Sequence, residues 1–277
     1  MVSAVILESQ LKEIKKIVKK NIDVNIDHFE TNFLSRRIER RMRIMGLKSS
    51  SKYVSFLDED PLESLELNAS LSINVTEFFR NREVWDVFQQ KIIPKIIKLS
   101  NNYEKIRIWS AGCATGNEPY SLAMGLSNAL KTKEKQFVII ATDMNPTSIE
   151  IAKTGKYESE VLKNIPNSLM SKFLEKIDDD LYKFNDGLKK FIHFQVGDVD
   201  SFNINQVDVI VCRNLLIYYS NDAKDLLFKK FHKTLKDGGF LVLGMAERIP
   251  SLMEKFFESV ELRQKIYQKV SAESIIA

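Results

Sequence analysis

The segment Ile106–Ser121, IRIWSAGCATGNEPYS, passes from apolar residues through a turn of small ones (Ala111, Gly112, Ala114, Gly116) to Glu118. A strand that turns on glycines into a helix gathers backbone N–H groups and the positive end of a helix dipole at one point. Small residues there let a ligand approach the main chain. A phosphate-cradling loop would carry Lys and Ser or Thr after its last glycine, whereas Asn117 and Glu118 follow Gly116. A carboxylate at that place repels a triphosphate. The dinucleotide fingerprint is absent too, because Gly112, Ala114 and Gly116 are spaced by twos. A turn that brings an acid to its ligand suits a cation without phosphate, and S-adenosylmethionine, with a sulfonium and an ammonium, is such a ligand. An ordinary tight strand–helix turn fits the same residues equally well.

The next apolar runs carry polar tips of their own. FVIIATDMN (Phe137–Asn145) ends in Asp143, placed where an acid grips a ribose diol in doubly wound folds; a carboxylate can accept from both hydroxyls. Asp143 could instead cap the helix after Pro146, but Asn145 and Thr147 offer that cap as well and leave Asp143 for other work. The strand in FIHFQVGDVD ends in Gly197 and Asp198, an acid for an adenine amino group followed by the Val199 amide for a ring nitrogen, or simply a solvated loop. VDVIVCRNLLIYY ends in Arg213, Asn214 and Tyr218. Ligands of open α/β sheets lie outside the carboxyl ends of the strands, so four such ends in succession make one composite site.

SAGCATGNEPYS, ATDMN and CRNLLIYY, together with the upstream SINVTEFFR, resemble the chemotaxis receptor methyltransferases of the CheR type, and the resemblance runs from about Leu11 to about Val270. It implies a protein-glutamate O-methyltransferase that uses S-adenosyl-L-methionine and releases S-adenosyl-L-homocysteine. The implied fold is α/β: a Rossmann-like class I methyltransferase domain, mostly parallel with an antiparallel edge hairpin, preceded by a small all-α domain. By motif position, Asn74, Thr76, Arg80, Glu118, Asp143, Asp198, Val199, Arg213 and Asn214 correspond to cofactor contacts. Arg80 and Tyr218 correspond to the residues beside the transferring methyl. Asn117 departs from the family by standing where an acid is frequent, and Asp198-Val199 replaces a common Asn-Leu pair. The implied partner is the cytoplasmic helical region of chemotaxis receptors, and the implied location is cytoplasmic.

These strand tips need elements to hold them. Before Asn81 the chain reads as helical, a domain and linker over 1–80 followed by the methyltransferase domain over 81–277. SQLKEIKKIVKKN places Leu11, Ile14, Ile17 and Val18 on one face. FETNFLSRRIERRMRIMG places Leu34, Ile38, Met42 and Met45 on one face and stops at Gly46. Arg36, Arg40 and Arg43 fall opposite, flanked by Arg37 and Arg41, with Glu39 the one acid among them. Such a stripe is commonly a solvated face; in the resembled family the corresponding helix docks on the acidic receptor, so these five arginines are expected to dock substrate. Helices are expected over Ser49–Leu57, Leu62–Asn68 and Glu83–Leu99, the last bent or split by Pro94. Strand–helix alternation from Ile106 implies a parallel sheet. KDGGFLVLGM gives a fifth strand, and KFFESVELRQKIYQKV a closing hairpin. The stretch from Tyr157 to Lys190 exceeds one crossover helix, and the family carries a small β-containing insertion there, about 155–192.

Composition sets outer bounds. The chain has 277 residues and a net charge of +4, enough for two unequal domains and too little charge for a broad nucleic-acid surface. Arg213-Asn214-Leu215-Leu216 lacks the prolines of amino-methylating DNA enzymes, and a nucleic-acid partner is not expected. No apolar run approaches a membrane span of roughly 20 residues, and the N-terminus lacks the basic start of a secretory signal. Cys113 and Cys212 and the three histidines offer no metal-ligand spacing. No feature requires more than a monomer. A non-catalytic scaffold that binds the cofactor or the receptor is the rival from another class; filled motifs stand against it.

Overall fold

A computed structural model describes residues 6–72, 76–99, 105–130 and 136–270. They form two compact units, one of residues 1–73 with 218–224, the other of 74–217 with 225–277. The linker Thr76–Arg80 thus groups with the second unit.

The first unit is helical. Helices α1 (Glu8–Ile22), α2 (Thr31–Ile44), α3 (Ser50–Glu59) and α4 (Pro61–Leu71) bury one stripe each. In α1 the stripe is Leu11, Ile14, Ile17 and Val18, as the sequence period demands. In α2 it is Phe33, Leu34, Ile38 and Met42; the expected Met45 is half-buried, because α2 closes at that residue and Gly46 turns left-handed at φ +69°. Asp60 caps α4 by accepting from the Leu62 amide, with Pro61 in the first turn.

The second unit opens with α5 (Arg82–Val87), a π turn (Phe88–Ile92) and α6 (Ile93–Leu99). Pro94 therefore neither splits nor simply bends this run. Proline lacks an N–H and its ring crowds the carbonyl four residues back; the wider turn just before it absorbs the conflict.

Strands then alternate with helices: β1 (Ile106–Ala111), α7 (Asn117–Ala129), β2 (Phe137–Asp143) and α8 (Pro146–Thr154). An inserted portion follows, with β3 (Lys156–Glu158), α9 (Asn167–Phe173), β4 (Leu174–Lys176), β5 (Leu181–Phe184) and α10 (Asp186–Lys189). The main sheet resumes with β6 (Ile192–Val196), β7 (Val207–Cys212), α11 (Asn221–Thr234), β8 (Leu235–Leu243), β9 (Phe257–Glu261) and β10 (Ile266–Lys269).

The main sheet has the order β6-β2-β1-β7-β8-β10-β9. Pairs from β6 through β8 are parallel, and β10 pairs antiparallel with β8 and β9. This is the expected mostly parallel sheet with an antiparallel edge hairpin. Every residue of β7 is buried, as suits a central strand covered on both faces. The insertion is a separate antiparallel sheet, β3-β5-β4. It joins the main core through Phe184, which stacks on Tyr120 of α7 with centroids 4.1 Å apart.

Candidate functional site

β1 delivers the chain to its turn at the sheet's carboxyl edge. Gly112, Ala114 and Gly116 all take positive φ, at +78°, +46° and +94°. At Gly116 a Cβ would lie 2.9 Å from both the Ala152 Cβ and the Tyr157 hydroxyl, so conformation and space both require glycine. The Tyr157 hydroxyl, from β3 of the insertion, donates to the Thr115 carbonyl at 2.6 Å. The small-residue turn is thus closely packed and braced by the insertion.

Two acids meet this turn. Glu118, in the first turn of α7, accepts from the Ser110 hydroxyl at 2.8 Å. Burial pushes its carboxyl above the ordinary value, and Arg213 and the Ser110 bond oppose that push. Asp143, at the end of β2, accepts from the amides of Ala114 and Asn145, each at 2.9 Å. Burial raises its pKa as well, against the pull of those two bonds.

The cap of α8 is Asn145, which accepts from Thr147 and Ser148. That much follows the sequence reading, but Asp143 is not left free. Both of its oxygens hold main-chain amides and lock the glycine turn to β2; each keeps a further lone pair for a hydroxyl.

Arg213 leaves β7 toward the same place. Its Nη1 lies 3.9 Å from Glu118 Oε2. Its Nη2 donates to the Arg80 carbonyl at 3.0 Å and to Asn81 Oδ1 at 2.7 Å. Its Nε is buried without a hydrogen-bond partner, a donor that a polar ligand atom can satisfy. The Trp85 indole donates to the Arg80 carbonyl at 2.9 Å. Phe79 and Asn81 flank Arg80 with φ of +50° and +58°. Two left-handed non-glycine residues in three store roughly 1–3 kcal/mol of strain each. The Phe79 amide, held by the Ser121 hydroxyl at 3.0 Å, helps impose that shape.

Asp198 is half-buried and accepts from the Asp200 amide at 3.2 Å. Val199 is buried, and its carbonyl accepts from Lys230 at 2.8 Å. Asn214 adopts φ +61°. Thr76 and Arg80 are half-buried, and Asn74 lies outside the described residues. Tyr218 clusters with the helical unit, where its ring is 4.7 Å from Phe33 and its carbonyl accepts from the Glu30 amide. Of the five arginines on α2, Arg36, Arg40 and Arg43 are exposed and Arg37 is half-buried over the Phe33 ring. Arg41 turns inward instead. It holds Glu63 at 2.6 Å and Glu66 at 3.2 Å, because burying Glu63 requires a partner.

The sequence reading missed Ser110, Asn81, Trp85, Lys230 and Glu247. The last was within reach: it lies just past the fifth strand, where an acid belongs to the same edge as the other strand tips.

The donor set suits S-adenosylmethionine. The two carboxylates answer its cationic centres and ribose hydroxyls, and the unpartnered Arg213 N–H answers an acceptor such as its carboxylate. The profile of the CheR methyltransferase SAM-binding domain matches residues 74–266, and that of the CheR methyltransferase all-alpha domain matches residues 9–72. The chain belongs to the CheR methyltransferase family. Its cofactor is S-adenosylmethionine, and its activity is S-adenosylmethionine-dependent methyl transfer. A chemotaxis protein methyltransferase of Borreliella burgdorferi is 31% identical over 88% of this chain and 89% of its own length. One from Listeria innocua is 32% identical over 88% and 91%. Chemotaxis protein methyltransferase 1 of Pseudomonas aeruginosa is 28% identical over 80% and 84%. Among the described residues no helix is long and apolar enough to cross a membrane.

Proposed function

We propose that this methyltransferase esterifies glutamate side chains on the helical cytoplasmic region of chemotaxis receptors, acting in the cytoplasm as a monomer. The observation that carries this reading is near-full-length similarity to proteins named chemotaxis protein methyltransferases. The chemistry of the site agrees with it. A glutamate has a reference pKa near 4.3 and is ionised at neutral pH, so it needs no strong base to attack a methyl group. The two cysteines are poor candidates for such a base: Cys113 and Cys212 are buried, and burial pushes both thiols up.

The bound cofactor supplies an electrophilic methyl on a sulfonium. The chain's own residues align and dry the reactants. Glu118 favours the cationic end of the ligand, Asp143 takes the ribose, and Asp198 with Val199 takes the adenine. Thr76 contacts the ligand from the linker. Arg213 orients Glu118 and offers its unpaired Nε–H to the ligand. Arg80 draws in the substrate carboxylate from a backbone held by Arg213 and Trp85; Tyr218 is assigned to the methyl-transfer step by its motif position alone.

On α2, Arg36, Arg37, Arg40 and Arg43 steer the acidic receptor helices; Arg41 supports the helix from within. Such steering acts on encounter more than on the chemical step.

The test uses methyl-labelled S-adenosylmethionine and a receptor's cytoplasmic helical fragment. Label released as volatile methanol by mild alkali marks an ester. Alkali-stable label on the fragment, or none at all, refutes the glutamate reading.

A further inference from the structure

Glu247 stands beyond the end of β8 and is 3% exposed. Its carboxylate collects main-chain amides from two loops. Gly244 donates to Oε2 at 2.6 Å and Asn214 to Oε2 at 3.1 Å, while Leu216 donates to Oε1 at 2.7 Å. Gly244 leaves room for this convergence: a Cβ there would lie 2.7 Å from Glu247 Oε2 and 2.8 Å from the Asn214 nitrogen. Burial raises the Glu247 pKa, and these amides pull it back toward the ionised form.

The clasped residues are the ones that follow Arg213. Asn214 takes a left-handed backbone at φ +61°, a strained choice for a residue with a side chain. The bonds on its amide and on that of Leu216 stabilise that choice. Because Arg213 and Asn214 are consecutive, the shape of this turn sets the direction in which the Arg213 guanidinium leaves β7 toward Glu118.

We propose that Glu247 is a positioning residue for the cofactor: its carboxylate clamps the turn after β7 so that Arg213 and Asn214 stand in their binding arrangement before the ligand arrives. This rests on the reading of Arg213 and Asn214 as cofactor contacts. Only a carboxylate serves. It offers acceptors on both oxygens, whereas the isosteric glutamine turns an NH2 toward at least one of the amides, donor against donor. The free protein would then have to order the turn on binding, which weakens affinity without removing any ligand contact.

The experiment titrates S-adenosyl-L-homocysteine into the full chain and into Glu247→Gln by calorimetry, with urea denaturation of both and with kcat and KM for S-adenosylmethionine. The expected result is a folded variant that binds the probe at least tenfold more weakly. Its KM rises in proportion and its kcat at saturating cofactor stays within threefold. A folded variant with unchanged affinity overturns the proposal, even if its stability falls, since Glu247 would then be structural only. Failure of the unaltered chain to bind the probe sinks the cofactor reading and this proposal together.

Should the variant not fold, hydrogen exchange on the unaltered chain decides. The amides of Asn214, Leu216 and Gly244 are expected to be protected to within threefold in the free and probe-bound protein. Fast exchange in the free protein, slowed only by the probe, overturns the clamp.

Discussion

In the helical unit, buried Glu63 is met by side chains. Arg41 donates to it twice, at 2.9 and 2.6 Å, and the Tyr53 hydroxyl donates at 2.8 Å. In the sheet unit, buried Glu247 is met by the main chain. Glu63 ties α4 to α2 and α3 through long side chains, so its partners fix how helices pack. Glu247 ties two loops through their amides, so its partners fix backbone conformation at a ligand edge. Similar burial of the same residue type therefore yields stability in one place and preorganisation in the other.

The sharpest way to break that contrast is Arg41→Ala. It leaves Glu63 buried without its cation, and urea denaturation should show a loss of about 3–5 kcal/mol in the helical unit. Affinity for S-adenosyl-L-homocysteine should stay unchanged. A loss below about 1 kcal/mol would mean that water reaches Glu63 and the pair is not structural.

Gly116→Ala belongs to the other side. The left-handed φ and the 2.9 Å approach of Ala152 and Tyr157 predict a cost of roughly 1–3 kcal/mol and a loss of cofactor binding. Normal calorimetric binding by a folded Gly116→Ala would show that the turn yields more easily than its packing implies.

The units should also part on pH. Glu118, Asp143 and Glu247 all have carboxyls raised by burial. Between the ordinary and the raised values the folded protein holds protons that the unfolded chain has lost. Stability of the sheet unit therefore falls as pH climbs through that window and rises as pH drops back through it. Cofactor affinity should move the opposite way, because protonated Glu118 no longer favours a cation. The helical unit has its window at the alkaline end: burial raises the Tyr53 phenol above its ordinary 10.0, so that unit should lose stability as pH climbs beyond that value. Parallel acid profiles of stability and affinity would contradict the assignment of Glu118.

The smallest effect is expected from Tyr157→Phe. It removes one hydrogen bond to the Thr115 carbonyl and should cost about 1 kcal/mol, with a few-fold loss in cofactor affinity read by calorimetry. A larger effect on affinity than on stability would place the insertion's tyrosine nearer to Glu247 in role than to Glu63.

Much of this was legible in the chain because periodicity and strand tips are local signals. The α1 stripe, the cap at Asn145, the glycine turn and the parallel sheet follow from spacing and residue type. What stayed hidden is long-range. The inward turn of Arg41 depends on Glu63 two helices away. The engagement of Asp143 depends on the Ala114 amide arriving from another strand. Glu247 is legible as an acid past the fifth strand, but its grip on the turn after β7 shows only once β7 and β8 lie side by side in register. Left-handed Phe79 was equally invisible, since a bulky residue gives no local warning of such a backbone.

The π turn at Phe88–Ile92 carries a last consequence. An extra residue in a helix advances its angular phase by about 100°. Everything upstream, Trp85 included, is rotated by that amount relative to a regular helix running back from Leu99. Trp85 is the residue whose indole grips the Arg80 carbonyl. Pro94, placed just after the π turn, thus acts as a compass setting for the tryptophan. Replacing it with alanine would let the helix rewind and swing that indole off its target.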